Sequence, residues 1–375
     1  MDKELWFSRE ELAGRIGRVQ AVLREQGLDA FLGFQAESLT WLTGYYTRAY
    51  GALQFVIVPA EGDPTIVCRD QSAFYAKLRS PYEHCVCWAD GDDPMVVAVT
   101  AIAGSVASDA AFAIELSAWH LTAARFAALQ AALPRAVFHD VGALIAEMRL
   151  IKSPAEIAYQ RRAGKAAEAG MAAGLAIAKP GVRERNVAAV VCAAMVSAGS
   201  DEPGPGVMSS GPRAKHLHGG YNDRVLRHGD SLQLECTPSV RNYHARFMRT
   251  IKIGGADDRD RQRAETLIAI QDRALEAVAA GMPAVEADRF YRDGIMASGL
   301  TTAYTNKTFY SIGLLLRPSG GEPLEATPNC TWAFASGMVF HTYLLVDGFG
   351  ISESIVITDN GYDRLTNFSR MLLVG

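Results

Sequence analysis

The stretch GDSLQLECTPSVRNYHARFMRTIKIG, from Gly229 to Gly254, constrains the fold most. Polar and apolar residues alternate along it, and successive side chains on a strand point to opposite faces. Leu232, Leu234 and Cys236 therefore share one face, and Ser231, Gln233 and Glu235 the other. On the return strand Tyr243, Ala245 and Phe247 share a face, with His244, Arg246 and Met248 opposite. The stretch reads as two strands joined by a tight turn. If the turn is Val240-Arg241, Glu235 sits directly across from Arg246.

Around this hairpin, helices and strands alternate. SREELAGRIGRVQAVLREQG has apolar residues at helical spacing, Ser8 as N-cap and Gly27 as stop. DAFLGF, FVIVPA and TIVCRD read as strands. DPMVVAVTAIAG and SAWHLTAARFAALQAAL read as helices, with AFAIEL as a strand between them. This alternation implies an α/β domain over residues 1–145. Ser153-Pro154-Ala155-Glu156 then supplies an N-cap, a first-turn proline and a capping-box acid. The helix it starts opens a second domain, residues 146–375. Further helices are expected near 184–198, 257–280 and 284–298, and TFYSIGLLL, MVFHTYLLV and SESIVITDNG as strands. Two helix pairs, each followed by strands, suggest an internal duplication.

At 375 residues and 49% hydrophobic, the chain is long for a single core, which also favours two domains. The net charge is −4 with the signs intermixed, and no basic stripe points to nucleic acid. MDKELWFSREEL is acidic, with no apolar signal segment, and no run is long enough to span a bilayer. A cytoplasmic protein with no membrane partner is expected. The six cysteines do not form a disulfide framework. In EHCVCWAD the alternation reads as a strand rather than as a zinc site of His84, Cys85 and Cys87.

RLIKSPAEIAYQRRAG, RHGDSLQLE, RNYHARFMRT, SGMVFHTYLL and ISESIVITDNGYDRLTNF, in this order, resemble the creatinase/methionine-aminopeptidase family. The resemblance implies an α/β fold class, with a creatinase-like N-terminal α/β domain followed by a C-terminal pita-bread domain. It also implies a homodimer with a shared active site, the N-domain of one subunit covering its neighbour's site. Metal-dependent members use five ligands: Asp, Asp, His, Glu and Glu. The matching positions here are Glu235, Arg246, Tyr310, Tyr343 and either Ser352 or Glu353. A protonated arginine and two tyrosines do not suit a pair of dications, so no metal and no cofactor are expected.

FHTYLLVDGFGISESIVIT, the tail LTNFSRMLLVG, the acid at 235 and the Tyr-His at 243–244 resemble the metal-independent ectoine hydrolases. By similarity to creatinase, His218 and Arg224 occupy substrate-site positions. RAYG at 48–51 resembles its N-domain segment, whose arginine, here Arg48, reaches the substrate carboxylate across the dimer. Creatinase's two glutamates fall at Met248 and Tyr343, so its guanidino chemistry is not carried over. LLLRPSGGEPLEA departs from the stretch expected of ectoine hydrolases, which leaves other cyclic amidines, lactams and guanidino compounds open as substrates.

The expected reaction is metal-independent hydrolysis of a C–N bond in a small zwitterionic or cyclic amidine substrate. Glu235, kept ionised by Arg246, is the general base or nucleophile. His341 or His244 relays protons. Strict period two puts Glu353 on the face of Ile351, Ile355 and Ile357, where a carboxylate must be paired or protonated. As the protonated member of an acid pair it would protonate the departing nitrogen. His218, Arg48, Arg246, Tyr310 and Tyr343 are expected to bind substrate. The competing reading of Glu235 and Arg246 is a structural ladder pair. The alternatives for the whole chain are a metal-dependent X-Pro peptidase, a metal-dependent sulfonium lyase and a catalytically dead protein-binding module. Several convergent titratable groups argue against the last.

Overall fold

Ser8 and Gly27 bound the first helix, α1 (Arg9–Gln26): the Ser8 side chain accepts the Glu11 N–H, and Gly27 closes the helix at φ 65°. The computed structural model describes residues 2–107 and 109–375. The chain divides into two units, Met1–Met148 and Arg149–Gly375. In the first, α1 is followed by β1 (Ala30–Gly33), α2 (Ala36–Thr43), β2 (Phe55–Pro59), β3 (Thr65–Arg69) and α3 (Ala73–Arg79). Then come β4 (Cys85–Trp88), α4 (Pro94–Ser105), β5 (Ala111–Ile114), α5 (Ala123–Ala132), β6 (Val137–Asp140) and α6 (Leu144–Met148).

The strands form one mixed sheet in the order β4-β3-β2-β1-β5-β6. Its core joins Leu32, Phe55, Ile57 and Phe112 of the sheet to Ile102 of α4 and Leu129 of α5. The helix expected over SAWHLTAARFAALQAAL begins only at Ala123. Thr122 is a better N-cap than Ser117, because its hydroxyl accepts the Arg125 N–H.

The second unit opens with α7 (Pro154–Ile177), whose capping box is complete. Ser153 Oγ accepts the Glu156 N–H, and Glu156 Oε2 accepts the Ser153 N–H at 2.7 Å. Next are α8 (Glu184–Ser197), β7 (Pro205–Ser210), β8 (Ser231–Cys236), β9 (Ser239–Val240), β10 (Tyr243–His244) and β11 (Phe247–Lys252). Then follow α9 (Asp258–Glu276), α10 (Ala284–Ala297), β12 (Phe309–Ser311), β13 (Glu325–Ala326) and β14 (Val339–Val346). β15 (Phe349–Thr358), β16 (Gly361–Arg364) and β17 (Leu373–Val374) end the chain.

The main sheet runs β13-β12-β14-β15-β11-β8-β7, with β16 on β15 and β17 on β11. Each helix pair covers its own half. Residues of α7 and α8 pack on Leu232, Leu234, Cys236 and Phe247, and residues of α9 and α10 on Phe309, Phe340, Ile351 and Ile355. At Gly174 a Cβ would stand 2.7 Å from Leu234 Cδ2, so glycine is what lets α7 close on the sheet. No helix among the described residues is long and apolar enough to cross a membrane.

The hairpin within residues 229–254 forms, with a register different from the expected one. The turn is Arg241-Asn242, both at positive φ (53° and 63°), and Val240 pairs with Tyr243. A two-residue hairpin turn of this hand needs two left-handed residues. A β-branched valine resists that conformation, so Val240 stays in the strand. The pairing therefore moves by two residues, and Glu235 lies across from Met248, not Arg246. Because the shift is even, Arg246 keeps the face that alternation assigned to it.

Candidate active site

The sheet face away from the helices forms one wall of a cavity of about 420 Å³. Period two delivers its residues: Glu235 from β8, Met248 from β11, Tyr310 from β12, and His341 and Tyr343 from β14. Arg246 enters from the link between β10 and β11. That link is fastened to β15, because Ser354 Oγ accepts the Arg246 N–H and donates to its carbonyl, each at 2.8 Å.

Glu235 Oε2 accepts the backbone N–H of Val207 at 3.2 Å. Neighbouring Gly206 makes room for this carboxylate, since a Cβ there would lie 2.9 Å from Oε2. Glu235 Oε1 is 3.8 Å from His341 Nε2, and among the described residues neither ring nitrogen of His341 has a hydrogen-bond partner. Burial, with the charges of Arg246 and Lys307 adding to it, pushes the His341 pKa well below its ordinary value, so the ring is neutral at neutral pH. Arg246 Nη1 donates to the Tyr310 hydroxyl at 3.0 Å and forms no ion pair with Glu235. Burial raises the Tyr343 pKa to about 12 and that of Tyr310 beyond it, so both phenols keep their protons.

His218, at φ 66°, lines the cavity. Arg224 does not. It clamps Asp230 at 2.6 and 3.0 Å, fastening the loop that carries His218 to the strand entry. His244 is outside the cavity wall, its Nδ1 2.9 Å from the Asn242 carbonyl; burial pulls its pKa down to about 4. Arg48 belongs to the first unit, in a turn, with an exposed side chain.

Glu353 is on the opposite face of the sheet from Glu235, which corrects its expected part in an acid pair. It is fully buried and accepts from Arg249 at 2.5 Å, Arg370 at 2.8 Å and the Thr366 hydroxyl at 2.8 Å. Period two placed it on the isoleucine face as expected. Two arginines brought by β11 and the tail give it the partners that burial requires. The residue beside Tyr343 in the ladder is Ser352, whose buried hydroxyl has no partner among the described residues.

Three charged cavity residues, Lys307, Glu322 and Glu325, were missed. Lys307 bonds to Glu325 and lies 5.0 Å from the Tyr310 ring centroid, while Glu322 is locked by Arg149 and Lys152 at 3.2 and 2.6 Å. Lys307 and Glu322 come from irregular segments and Glu325 from the two-residue β13, where no periodicity assigns a face.

The five positions where the family resemblance expects metal ligands thus hold Glu235, Arg246, Tyr310, Tyr343 and Ser352. One carboxylate, two protonated phenols, a hydroxyl and a guanidinium do not fit a dinuclear centre. The other two cavity carboxylates are bound to Lys or Arg.

Comparison with known proteins agrees with this architecture. Residues 158–359 match Metallopeptidase family M24, and residues 15–151 match the Creatinase/Prolidase N-terminal domain. The chain is 29% identical to an uncharacterized hydrolase/peptidase of Sinorhizobium fredii, covering 99% of both chains. It is 26% identical to the ectoine hydrolase of Halomonas elongata, covering 98% of both. The crystal structure of dipeptidase PepE from Mycobacterium ulcerans superposes with a TM-score of 0.84 at 26% identity, covering 98% of this chain and 99% of that one.

Proposed function

This chain belongs to metallopeptidase family M24, with a creatinase/prolidase N-terminal domain and a pita-bread catalytic domain, and from that premise we propose that it is a metal-independent hydrolase of a C–N bond in a small anionic or zwitterionic substrate, a cyclic amidine being the nearest class. One observation carries the reading: the 3.0 Å contact of Arg246 with the Tyr310 hydroxyl puts a fixed cation where the family's ligands for dications would stand. Likeness to an ectoine hydrolase supports it.

Glu235 and His341 are the reactive pair. Their 3.8 Å separation lets one water oxygen sit within hydrogen-bond reach of both. As that oxygen adds to the amidine carbon, Glu235 takes a water proton. When the C–N bond breaks, its electron pair leaves with the nitrogen, and the same proton goes to that nitrogen. A single carboxylate can serve both steps, so Glu353 is not needed as the acid. Neutral His341 offers one N–H and one lone pair to orient the water. Arg246 and Lys307 suit a substrate carboxylate, with Tyr310, Tyr343 and His218 shaping the rest of the site. A cationic amidine is already electrophilic and needs no Lewis acid. The reading includes a cytoplasmic homodimer in which Arg48 of one subunit reaches the neighbouring subunit's substrate.

The PepE likeness favours a second reading, hydrolysis of a dipeptide. A panel of cyclic amidines, lactams, guanidino acids and X-Pro dipeptides, each assayed with chelator and with added Mn²⁺, separates the two. Turnover of a non-peptide C–N substrate that survives chelation supports the proposal. Turnover confined to dipeptides and dependent on Mn²⁺ overturns it.

A further inference from the structure

The first unit carries a second cluster of reactive groups, unrelated to the cavity. Cys68 is on β3, and Cys85 and Cys87 are on β4, the edge strand of its sheet. The two strands run parallel with Cys68 beside Cys87 and Ile66 beside Cys85. Alternation sends Cys85 and Cys87 to one face, while Val86 between them packs on the core. The third sulfur comes from the neighbouring strand, 17 residues earlier in the chain than Cys85.

All three are free thiols. The Cys68–Cys85 sulfur separation is 3.8 Å, the Cys85–Cys87 separation is 3.7 Å, and all three sulfurs lie within 4.8 Å of one another. Zinc–thiolate bonds of about 2.3 Å arranged tetrahedrally put neighbouring sulfurs about 3.8 Å apart. A disulfide needs about 2.05 Å. Among the described residues this is the one grouping of His, Cys, Asp or Glu side chains spaced to share an ion.

We propose that Cys68, Cys85 and Cys87 form a three-thiolate site for Zn²⁺, with the fourth coordination position left open. Cys68 is buried while Cys85 and Cys87 are half-buried, so an ion can enter at the sheet edge without separating the strands. Lys77 of α3 is near enough for its charge to act on the Cys85 thiol. Three thiolates and one dication leave a net negative charge, which Lys77 offsets. His84, the ligand that sequence alone would pair with these cysteines, is exposed and has the opposite strand parity. Bound zinc would tie β4 to β3 and act as a structural clip, because affinity for the folded site adds to folding stability.

The test uses the full chain, purified under reducing conditions and stripped by chelator. Zn²⁺ is titrated against a chromophoric chelator, and Co²⁺ is substituted to read a sulfur-to-cobalt charge-transfer band. We expect one Zn²⁺ per chain, the cobalt band, and a higher Tm with Zn²⁺. Cys85→Ser and Cys87→Ser should weaken binding by roughly 100-fold or more, since even losing a hydrogen-bond partner of a ligand costs about 10–100-fold. Cys192→Ser and Glu235→Gln should bind like the wild type. Failure of the reduced wild type to bind Zn²⁺ at micromolar concentration overturns the proposal. So does binding that persists without the band in both site variants, which would put the ion elsewhere. A disulfide among these thiols in the reduced protein also overturns it. Because Cys85→Ser should leave turnover intact, zinc at this site is distinguishable from any metal requirement of the reaction.

Discussion

His341 Nε2 stands 3.8 Å from Glu235 Oε1, and both ring nitrogens of His341 lack a partner among the described residues, inside a buried site. A buried imidazole left without hydrogen bonds costs stability. The arrangement makes sense if a ligand or reacting water completes it.

Glu235→Gln preserves shape and removes the base. Turnover should drop by at least ~10²-fold, as is usual on losing a general base, with the far-UV spectrum and Tm close to wild type. Wild-type turnover in a folded Glu235→Gln protein would end the mechanism proposed above.

The lowered pKa of His341 makes stability depend on pH. Below about 6.5 the unfolded chain takes up a proton that the folded chain resists, so stability is full above that pH and declines as pH falls toward the folded pKa. His244, pulled down to about 4, acts in the same direction. Tm should therefore fall between about pH 7.5 and pH 5, and His341→Gln should lessen the fall. Equal slopes in wild type and variant would show that His341 is not held neutral by its surroundings.

Glu353 supports the fold. Glu353→Ala strands Arg249, which is 1% exposed, and should cost about 3–5 kcal/mol in denaturant unfolding. Glu353→Gln keeps an acceptor for Arg249 and should cost less. In both, turnover per folded molecule of the best substrate should match wild type; a large selective loss of turnover would return Glu353 to the chemistry.

Arg48→Ala and Glu235→Gln chains should each be inactive alone. Coexpressed, they should recover up to about a quarter of wild-type sites, the share in randomly paired dimers that receives both intact residues. No recovery from mixed dimers would overturn the proposal that Arg48 completes the neighbouring subunit's site.

Much of this was legible locally. The Ser153 capping box, the Ser8 and Gly27 helix limits, and the opposite faces of Glu235 and Cys236 follow from contacts within a few residues and from strand parity. Parity also put Glu353 on the apolar face and set the condition that it be paired. It could not name Arg249 and Arg370, which arrive from another strand and the tail. The same parity chose Ser352 over Glu353 as the neighbour of Tyr343 once the β14–β15 register was known.

The sequence by itself determined the two-domain α/β architecture and the residue types available to the site, because periodicity and capping act over short chain distances. Only the tertiary structure decided that Glu235 faces Met248, that Arg246 bonds to Tyr310, that Lys307 enters the cavity and that Cys68 joins Cys85 and Cys87. Those meetings depend on register and on strand order. The positive φ at Arg241 and Asn242 fixes the hairpin register, and the packing of whole sheet faces against helices fixes which strands are neighbours.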